Sequence, residues 1–348
     1  VYQTVVYDAA VPPKKKPSRP SLKVLYIGNF EPPHSTENHI RAALVDRGHF
    51  VVGLQESAQA TWDALASNDW TTLGGKPDLI LWTRTGFPWP DVRAHRIAEI
   101  QMMQRADDLH IPVVGYHLDI WWGLKRQRQI LEEPFFRANL VITADGGHDE
   151  QWAEAGVNHV WFPPGVSARE AHVGERRYIF QSKLAFVGSW QGSYHDEHQH
   201  RFELVAFLKK HFRNVCEFYP RLGEHAIRGQ ELRDLYASVD VVVGDSCFAG
   251  SGLANYWSDR IPETLGRGGF LLHPMVPGLE QHFAIGDHLG CWNAGDWDQL
   301  GTDIEFFMKN TDRAHEIADA GCVHVQQHHT YDVRMDQLVD LLLERDML

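Results

Sequence analysis

Lys23–Leu54 reads KVLYIGNFEPPHSTENHIRAALVDRGHFVVGL. Lys23–Ile27 (KVLYI) is a short apolar run of the kind that forms a buried strand. It breaks at Gly28-Asn29-Phe30 into the polar loop Glu31–Glu37, where Ser35 or Thr36 can cap a helix over His39–Arg47. Gly48 closes that helix, and His49–Leu54 starts a second strand. Strand, glycine-bearing loop, helix, strand is a βαβ unit.

The alternation continues outward. Strands are expected at Asp78–Trp82, Ile111–Tyr116, Leu140–Thr143 and Val160–Phe162, with helices at Val92–Leu109 and Glu150–Ala155. A second series begins near Lys183, with strands Leu184–Val187, Val215–Tyr219, Val239–Gly244 and Gly269–Leu272. Its helices are expected at His200–Phe212, Glu231–Ser238, from Pro262 to Gly266, Gln299–Lys309, Thr311–Gln327 and Tyr331–Leu348. Apolar strands alternating with helices make parallel sheets covered on both faces. The expected class is therefore α/β, with two Rossmann-like domains facing across a cleft. The expected boundaries are 22–175 and 176–327, with a C-terminal helix, 328–348, packing back on the first domain. Residues 1–21 read as a flexible basic arm, because Val11–Pro20 (VPPKKKPSRP) is proline-rich and cationic without apolar periodicity. Ligands of such sheets bind beyond the carboxyl ends of strands, so the informative loops follow Ile27, Tyr116, Val187 and Gly244.

The chain's 348 residues suit two domains. A formal net charge of −13 argues against a general electrostatic grip on nucleic acid or anionic membrane. The basic arm keeps DNA open as a partner. Four scattered cysteines without a C-x-x-C pair read as reduced thiols of a cytoplasmic protein. No apolar run approaches the roughly 20 residues of a membrane span, so no membrane insertion is expected.

Gly250–Pro274, GSGLANYWSDRIPETLGRGGFLLHP, is the densest stretch. A glycine-rich loop runs through Tyr256, Trp257 and Ser258 into a helix start at Arg260–Thr264. Free amides at a helix start attract phosphate, Arg260 adds a bidentate cation, and Glu263 can accept from ribose hydroxyls. Tyr256 or Trp257 can stack on a ligand, although a capped helix beside a buried tryptophan would use the same residues.

Here the chain resembles the C-terminal domain of GT-B glycosyltransferases, especially the spore-coat glycosyltransferase-like branch of glycosyl transferases group 1. Arg260-Ile261-Pro262-Glu263, Gly268-Gly269-Phe270, Gly278-Leu279-Glu280 and His329-Thr330-Tyr331-Asp332-Val333-Arg334 carry the likeness, which covers roughly residues 184–340. That branch often carries two glutamates eight positions apart. Glu263 matches the second, and Asn255 stands where the first would fall, so it can bond a sugar hydroxyl but supplies no charge.

The resemblance implies a nucleotide-sugar donor site. It comprises Gly28, Asn29, Gly188, Ser189, Asn255, Tyr256, Trp257, Ser258, Arg260, Glu263 and Thr264. Phe30, His34, Ser35, Trp121 and Trp122 are expected on the acceptor side. His117 and Asp119, beyond the strand Ile111–Tyr116, are candidates for a base or for a group supporting the departing charge, beside Arg260 and Glu263. His195–His200 and Asp145–Asp149 fit no standard zinc or calcium spacing, and His328-His329 reads as structural.

The expected function is metal-independent transfer of a hexose or pentose from a UDP- or GDP-sugar, with retention. Arg260 and the helix-start amides would stabilise the leaving diphosphate. The unidentified acceptor is a protein, a small molecule or a hydroxylated base of viral DNA. Two rivals stand beside this expectation. A non-catalytic nucleotide-sugar binder or structural protein would neither hydrolyse nor transfer the donor, and a nucleotide-sugar epimerase would convert it without an acceptor.

Overall fold

The computed structural model describes residues 19–67, 70–84, 92–190, 199–247 and 249–348. Val11–Ser18 of the basic stretch and His195–His198 of the histidine-rich stretch lie outside them.

The first series forms strands β1 (Lys23–Gly28), β2 (Phe50–Gln55), β3 (Leu79–Thr83), β4 (Val113–His117), β5 (Leu140–Thr143) and β6 (His159–Trp161). All pairs are parallel, in the order β2-β1-β3-β4-β5-β6. Helices α1 (Thr36–Asp46), α2 (Gln59–Ala66), α3 (Val92–Asp108) and α4 (Asp149–Glu154) belong to this half. The second series forms β7 (Ser182–Val187), β8 (Cys216–Tyr219), β9 (Val239–Val243), β10 (Leu271–Pro274) and β11 (Gly290–Trp292). These strands are also parallel, in the order β11-β10-β9-β7-β8. Its helices are α5 (Gln199–His211), α6 (Gly229–Ser238), α7 (Arg260–Gly266), α8 (Trp297–Lys309) and α9 (Thr311–His328), and the C-terminal helix is α10 (Tyr331–Glu344).

Alternation along the strands separates two cores in the first half. Leu25 and Ile27 of β1 join Trp62, Leu65 and Met102 on one face. Val24 and Tyr26 join Ile40 and Leu44 of α1 on the other, together with Met335, Leu338 and Leu342 of α10. The C-terminal helix thus contributes to the first sheet's core, and burying each large apolar side chain stabilises the fold by about 2 kcal/mol. Arg19, just before β1, donates to Asp340 of α10 at 2.6 and 2.7 Å and pairs with Asp336. This end of the basic stretch therefore lies against an acidic helix face.

Among the described residues, three differences from the sequence reading bear on the two sheets and their cores. Helix α2 was not anticipated; it buries Trp62 and Leu65. Strand β11 has three residues, too few for a periodic signal. Strand β10 begins two residues later than expected, because Gly269 turns the chain, its N–H bonding the Thr264 carbonyl at 3.0 Å.

Two segments join the halves side by side. Val166 and Thr330 form a parallel bridge, and Arg334 Nε donates to the Pro163 carbonyl at 2.9 Å. A Cβ on Gly165 would stand 3.0 Å from the His329 oxygen, so any side chain here would push the two backbones apart by a few tenths of an ångström. Among the described residues, no helix is long and apolar enough to cross a membrane.

Candidate active site in the interdomain cleft

Strand order reverses between β1 and β3 in the first sheet and between β7 and β9 in the second. Loops diverge at such points and leave a crevice beyond the strand ends. The two crevices merge into one cleft of about 1600 Å³. Asn29, His34–Glu37, Thr83–Arg84 and His117–Asp119 line it from the first half. Val187–Trp190, Pro220, Ala226–Arg228, Ser258–Arg260 and Glu263 line it from the second.

The second half supplies cations. Arg260 Nη1 donates to the Val187 carbonyl at 2.5 Å, and its guanidinium lies over the Phe186 ring, 5.4 Å from the centroid. Arg260 Nε has no hydrogen-bond partner among the described residues. Asp245, just past β9, accepts from Arg201 at 2.6 Å and contacts His200 Nδ1 at 3.0 Å. Burial opposes ionisation of Asp245, but the His200 hydrogen bond and the Arg201 and Arg260 charges outweigh it, so its carboxyl titrates well below the ordinary range. Burial, reinforced by Arg201, lowers the Arg260 pKa. Arg201 thus pairs with Asp245, while the Arg260 guanidinium, bonded to the Val187 carbonyl instead, lies against Gly188.

The amides at the start of α7 are engaged locally. Arg260 N–H meets Ser258 Oγ at 3.4 Å, Ile261 N–H meets the Ser258 carbonyl at 3.3 Å, and Pro262 has no N–H. Helix α7 is also only seven residues long. The positive pole at this point is therefore the Arg260 side chain rather than free helix-start amides, which corrects the sequence expectation.

The first half faces this pole with His117 and Asp119. His117 Nδ1 lies 3.1 Å from the Asp119 N–H and 3.3 Å from the Asp119 carbonyl, so the Asp119 backbone fixes the ring and leaves Nε2 towards the cleft. Burial, then Arg126, lowers the His117 pKa to about 4, keeping the ring neutral at pH 7. Asp119 pairs with Arg126 at 2.9 Å. It also accepts from the Tyr256 hydroxyl at 3.2 Å, a hydrogen bond that joins the two halves. Burial and Asp119 raise the Tyr256 pKa, keeping the phenol protonated. The whole loop hangs on buried Asp145, whose Oδ2 accepts from Trp121 and Trp122 N–H at 2.7 and 2.9 Å.

At the junction between the halves, Arg267 bonds both Glu263 and Glu170. Burial raises the Glu263 pKa against the opposing Arg267 charge. Glu170 is held down to about 2, chiefly by His39 and, against burial, by Arg267.

Residues 196–340 match the family model described as glycosyl transferase-like. No curated protein sequence matches the chain. HepE of Anabaena, solved with UDP-glucose, is similar with a TM-score of 0.59 and 12% identity, over 93% of this chain and 100% of HepE. An alpha-glucosyltransferase solved with UDP and a 13-mer DNA containing an HMU base gives 0.63 and 10%, over 93% and 99%. Sucrose-phosphate synthase of Thermosynechococcus elongatus gives 0.57 and 11%, over 93% and 100%. At such identities the likeness is one of fold. The chain has the GT-B glycosyltransferase fold.

The GT-B cleft brings together Asn29, His34, Ser35, His117, Asp119, Trp121, Gly188, Ser189, Tyr256, Ser258, Arg260 and Glu263. Six other candidates lie elsewhere. Gly28 is buried beneath the first loop, where a Cβ would collide with Glu37. Phe30 packs edge-on against Tyr26, and Trp122 against Trp152. Trp257 is 1% exposed and packs on Phe283 and His329, so it is core and no wall of the donor site. Thr264 is fully buried.

Asn255 has φ +57° and is wedged between Gly146 of the first half and Gly278 of the second. This left-handed backbone, which asparagine tolerates better than most residues, accounts for the residue there.

The cleft also contains Glu37, His39, Arg84, Arg201, Tyr236 and Arg267, which sequence reading missed. Arg201 lies within the His200–Phe212 helical pattern, and its position on the helix gave no sign that it turns towards Asp245. Arg267 had a legible signal, four residues after Glu263 on one helix face.

Proposed function

We propose that this GT-B protein transfers a sugar from a nucleoside diphosphate sugar. One observation carries the proposal: Arg260 and Arg201 stand beside the Gly188–Trp190 loop on one wall of a cleft whose other wall presents His117 and Asp119. In this reading the diphosphate lies against Gly188, Ser189 and Arg260, where the guanidinium offsets charge developing on the leaving group. The nucleoside extends towards Ile227, Leu232 and Tyr236, with Glu263 at the ribose. His117 meets a sugar hydroxyl through Nε2, while Asp119, held by Arg126, Tyr256 and the Ile120 amide, orients the loop. Retention follows from the resemblance centred on Glu263. That HepE and the alpha-glucosyltransferase were solved with UDP or UDP-glucose supports a UDP-sugar as the first donor to try.

The acceptor wall favours an uncharged hydroxyl over a polyanion. Arg84 pairs with Glu56, Glu99 and Glu133, Arg96 with Glu132 and Arg126 with Asp119. Its arginines are therefore already neutralised.

The test is calorimetric titration with UDP, GDP, ADP and TDP and their common sugars, followed by an assay for hydrolysis and transfer. Selective binding of one nucleotide series, lost in Arg260→Ala and Glu263→Ala, together with turnover of its sugar, is the expected result. Binding without turnover would leave a nucleotide-sugar binder. Conversion of the sugar without an acceptor would make the protein an epimerase, and no binding at all would remove the donor site. NMR of the product's anomeric proton reads the stereochemistry.

A further inference from the structure

At the mouth of the cleft, His34, His39 and Glu170 converge. His34 comes from the loop after β1, His39 from the first turns of α1, and Glu170 from the segment that crosses between the halves. His34 Nδ1 lies 3.4 Å from Glu170 Oε1, and His39 Nε2 lies 3.5 Å from the same oxygen. The three donor atoms fall within 4.8 Å of one another. Both separations exceed the 2.7–3.2 Å of a good N–H···O hydrogen bond. They match the edges of a metal coordination tetrahedron: ligands about 2.1 Å from zinc, set about 110° apart, stand about 3.4 Å from each other.

From this geometry we infer that His34, His39 and Glu170 form a binding site for a borderline divalent transition metal, zinc in the first instance, that clips the first half to the crossing segment. Two imidazoles and one carboxylate suit zinc, cobalt or nickel better than magnesium or calcium, which prefer all-oxygen sets. Arg267 bonds the other carboxylate oxygen, Oε2, so Glu170 has Oε1 left for a metal and a fixed orientation. His34 packs against the second half: a Cβ on Gly229 would come 2.7 Å from its Cε1. Three protein ligands leave a fourth position for water. The site stands whether or not the cleft transfers a sugar.

The test uses the full chain, stripped with chelator and titrated with Zn²⁺ and Co²⁺ in equilibrium dialysis at pH 7.5. Parent protein is compared with His34→Ala and His39→Ala, and visible absorption reports the Co²⁺ environment. The expected result is a tightest site that holds one metal per chain and gives the intense bands of low-coordinate Co²⁺. Each variant should weaken that site by at least about tenfold, with the bands diminished. Equal affinity and identical spectra in parent and variants would place the metal on other histidines and overturn the inference, as would no binding by the parent. His34 is half exposed, so His34→Ala tests the site even where His39→Ala fails to fold. Circular dichroism of the metal-free proteins separates loss of ligand from loss of structure.

Discussion

Arg260 shows how one side chain is fixed by both chemistry and packing. Its Nη1 bonds the Val187 carbonyl at the end of β7, and Asp245 and Arg201 set its electrostatic surroundings. Replacing it with alanine removes a charged hydrogen-bonding partner from a ligand phosphate, and nucleotide affinity should fall by about 2 kcal/mol, roughly thirtyfold, in calorimetry. An unchanged dissociation constant would take Arg260 out of the donor site. Asn255 allows a different test. Its left-handed backbone strains most side chains by about 1–2 kcal/mol. Asn255→Gly should therefore keep the parent's denaturation midpoint, whereas Asn255→Glu should lower it and restore no activity to a glutamate. A Glu variant as stable as the parent would show that the backbone does not select the residue.

At the scale of elements, the halves meet through close backbone approaches and through a small apolar cluster, Ile120, Leu124 and Ala144 against Cys247 and Tyr256. A Cβ on Gly146 would stand 2.4 Å from the Asn255 carbonyl oxygen, and one on Gly165 3.0 Å from the His329 oxygen. These neighbours are backbone atoms and cannot rotate away. Gly146→Ala should therefore shift the 144–148 loop against the 250–256 loop, lowering the melting temperature by a few degrees, since about 1 kcal/mol corresponds to roughly 2–4 °C in a unit of 150–250 residues. Tyr256→Phe should remove only the hydrogen bond to Asp119 and cost less. A larger loss from Tyr256→Phe would make that bond, rather than the backbone fit, the main tie.

On the scale of the whole molecule, several histidines are buried neutral. Burial lowers His117 and His273 to about 4 and His159 to about 3. An unfolded chain takes up these protons at about pH 6.5, and the folded chain does not. Protonation therefore favours unfolding, so the stability is complete above about pH 6.5 and is lost progressively as pH falls towards 4. Each of His117 and His273 contributes about 3 kcal/mol to that loss. Glu170 adds a second window below about pH 4.5, where its depressed pKa favours the ionised folded form until acid removes it. Melting temperature should thus fall between pH 7 and 5, before carboxylates titrate. His273→Gln should flatten that slope, and an identical slope in the variant would assign the effect elsewhere.

Sequence alone was sufficient for the layers. Apolar runs such as Lys23–Ile27 and Leu140–Thr143, separated by capped and glycine-closed helices, specify parallel strands because period and punctuation are local properties. Ser35 does cap α1, its hydroxyl accepting from Asn38 N–H, and Gly48 with φ +87° does end it. The part of the cleft that follows directly from strand ends, from Asn29 to Gly188 and Arg260, was legible for the same reason. Tertiary structure decided which side chains face the cleft and which support it. Trp257 and Arg260 are three residues apart at the entry to α7, yet one is core and the other lines the cavity, a choice made by Phe283 and His329 more than 20 residues away. His34, His39, Glu170 and Arg267 meet only because the chain crosses between the halves at residues 163–166. A contact across more than a hundred residues leaves no period in a single sequence, since it depends on how two separately formed cores are set against each other.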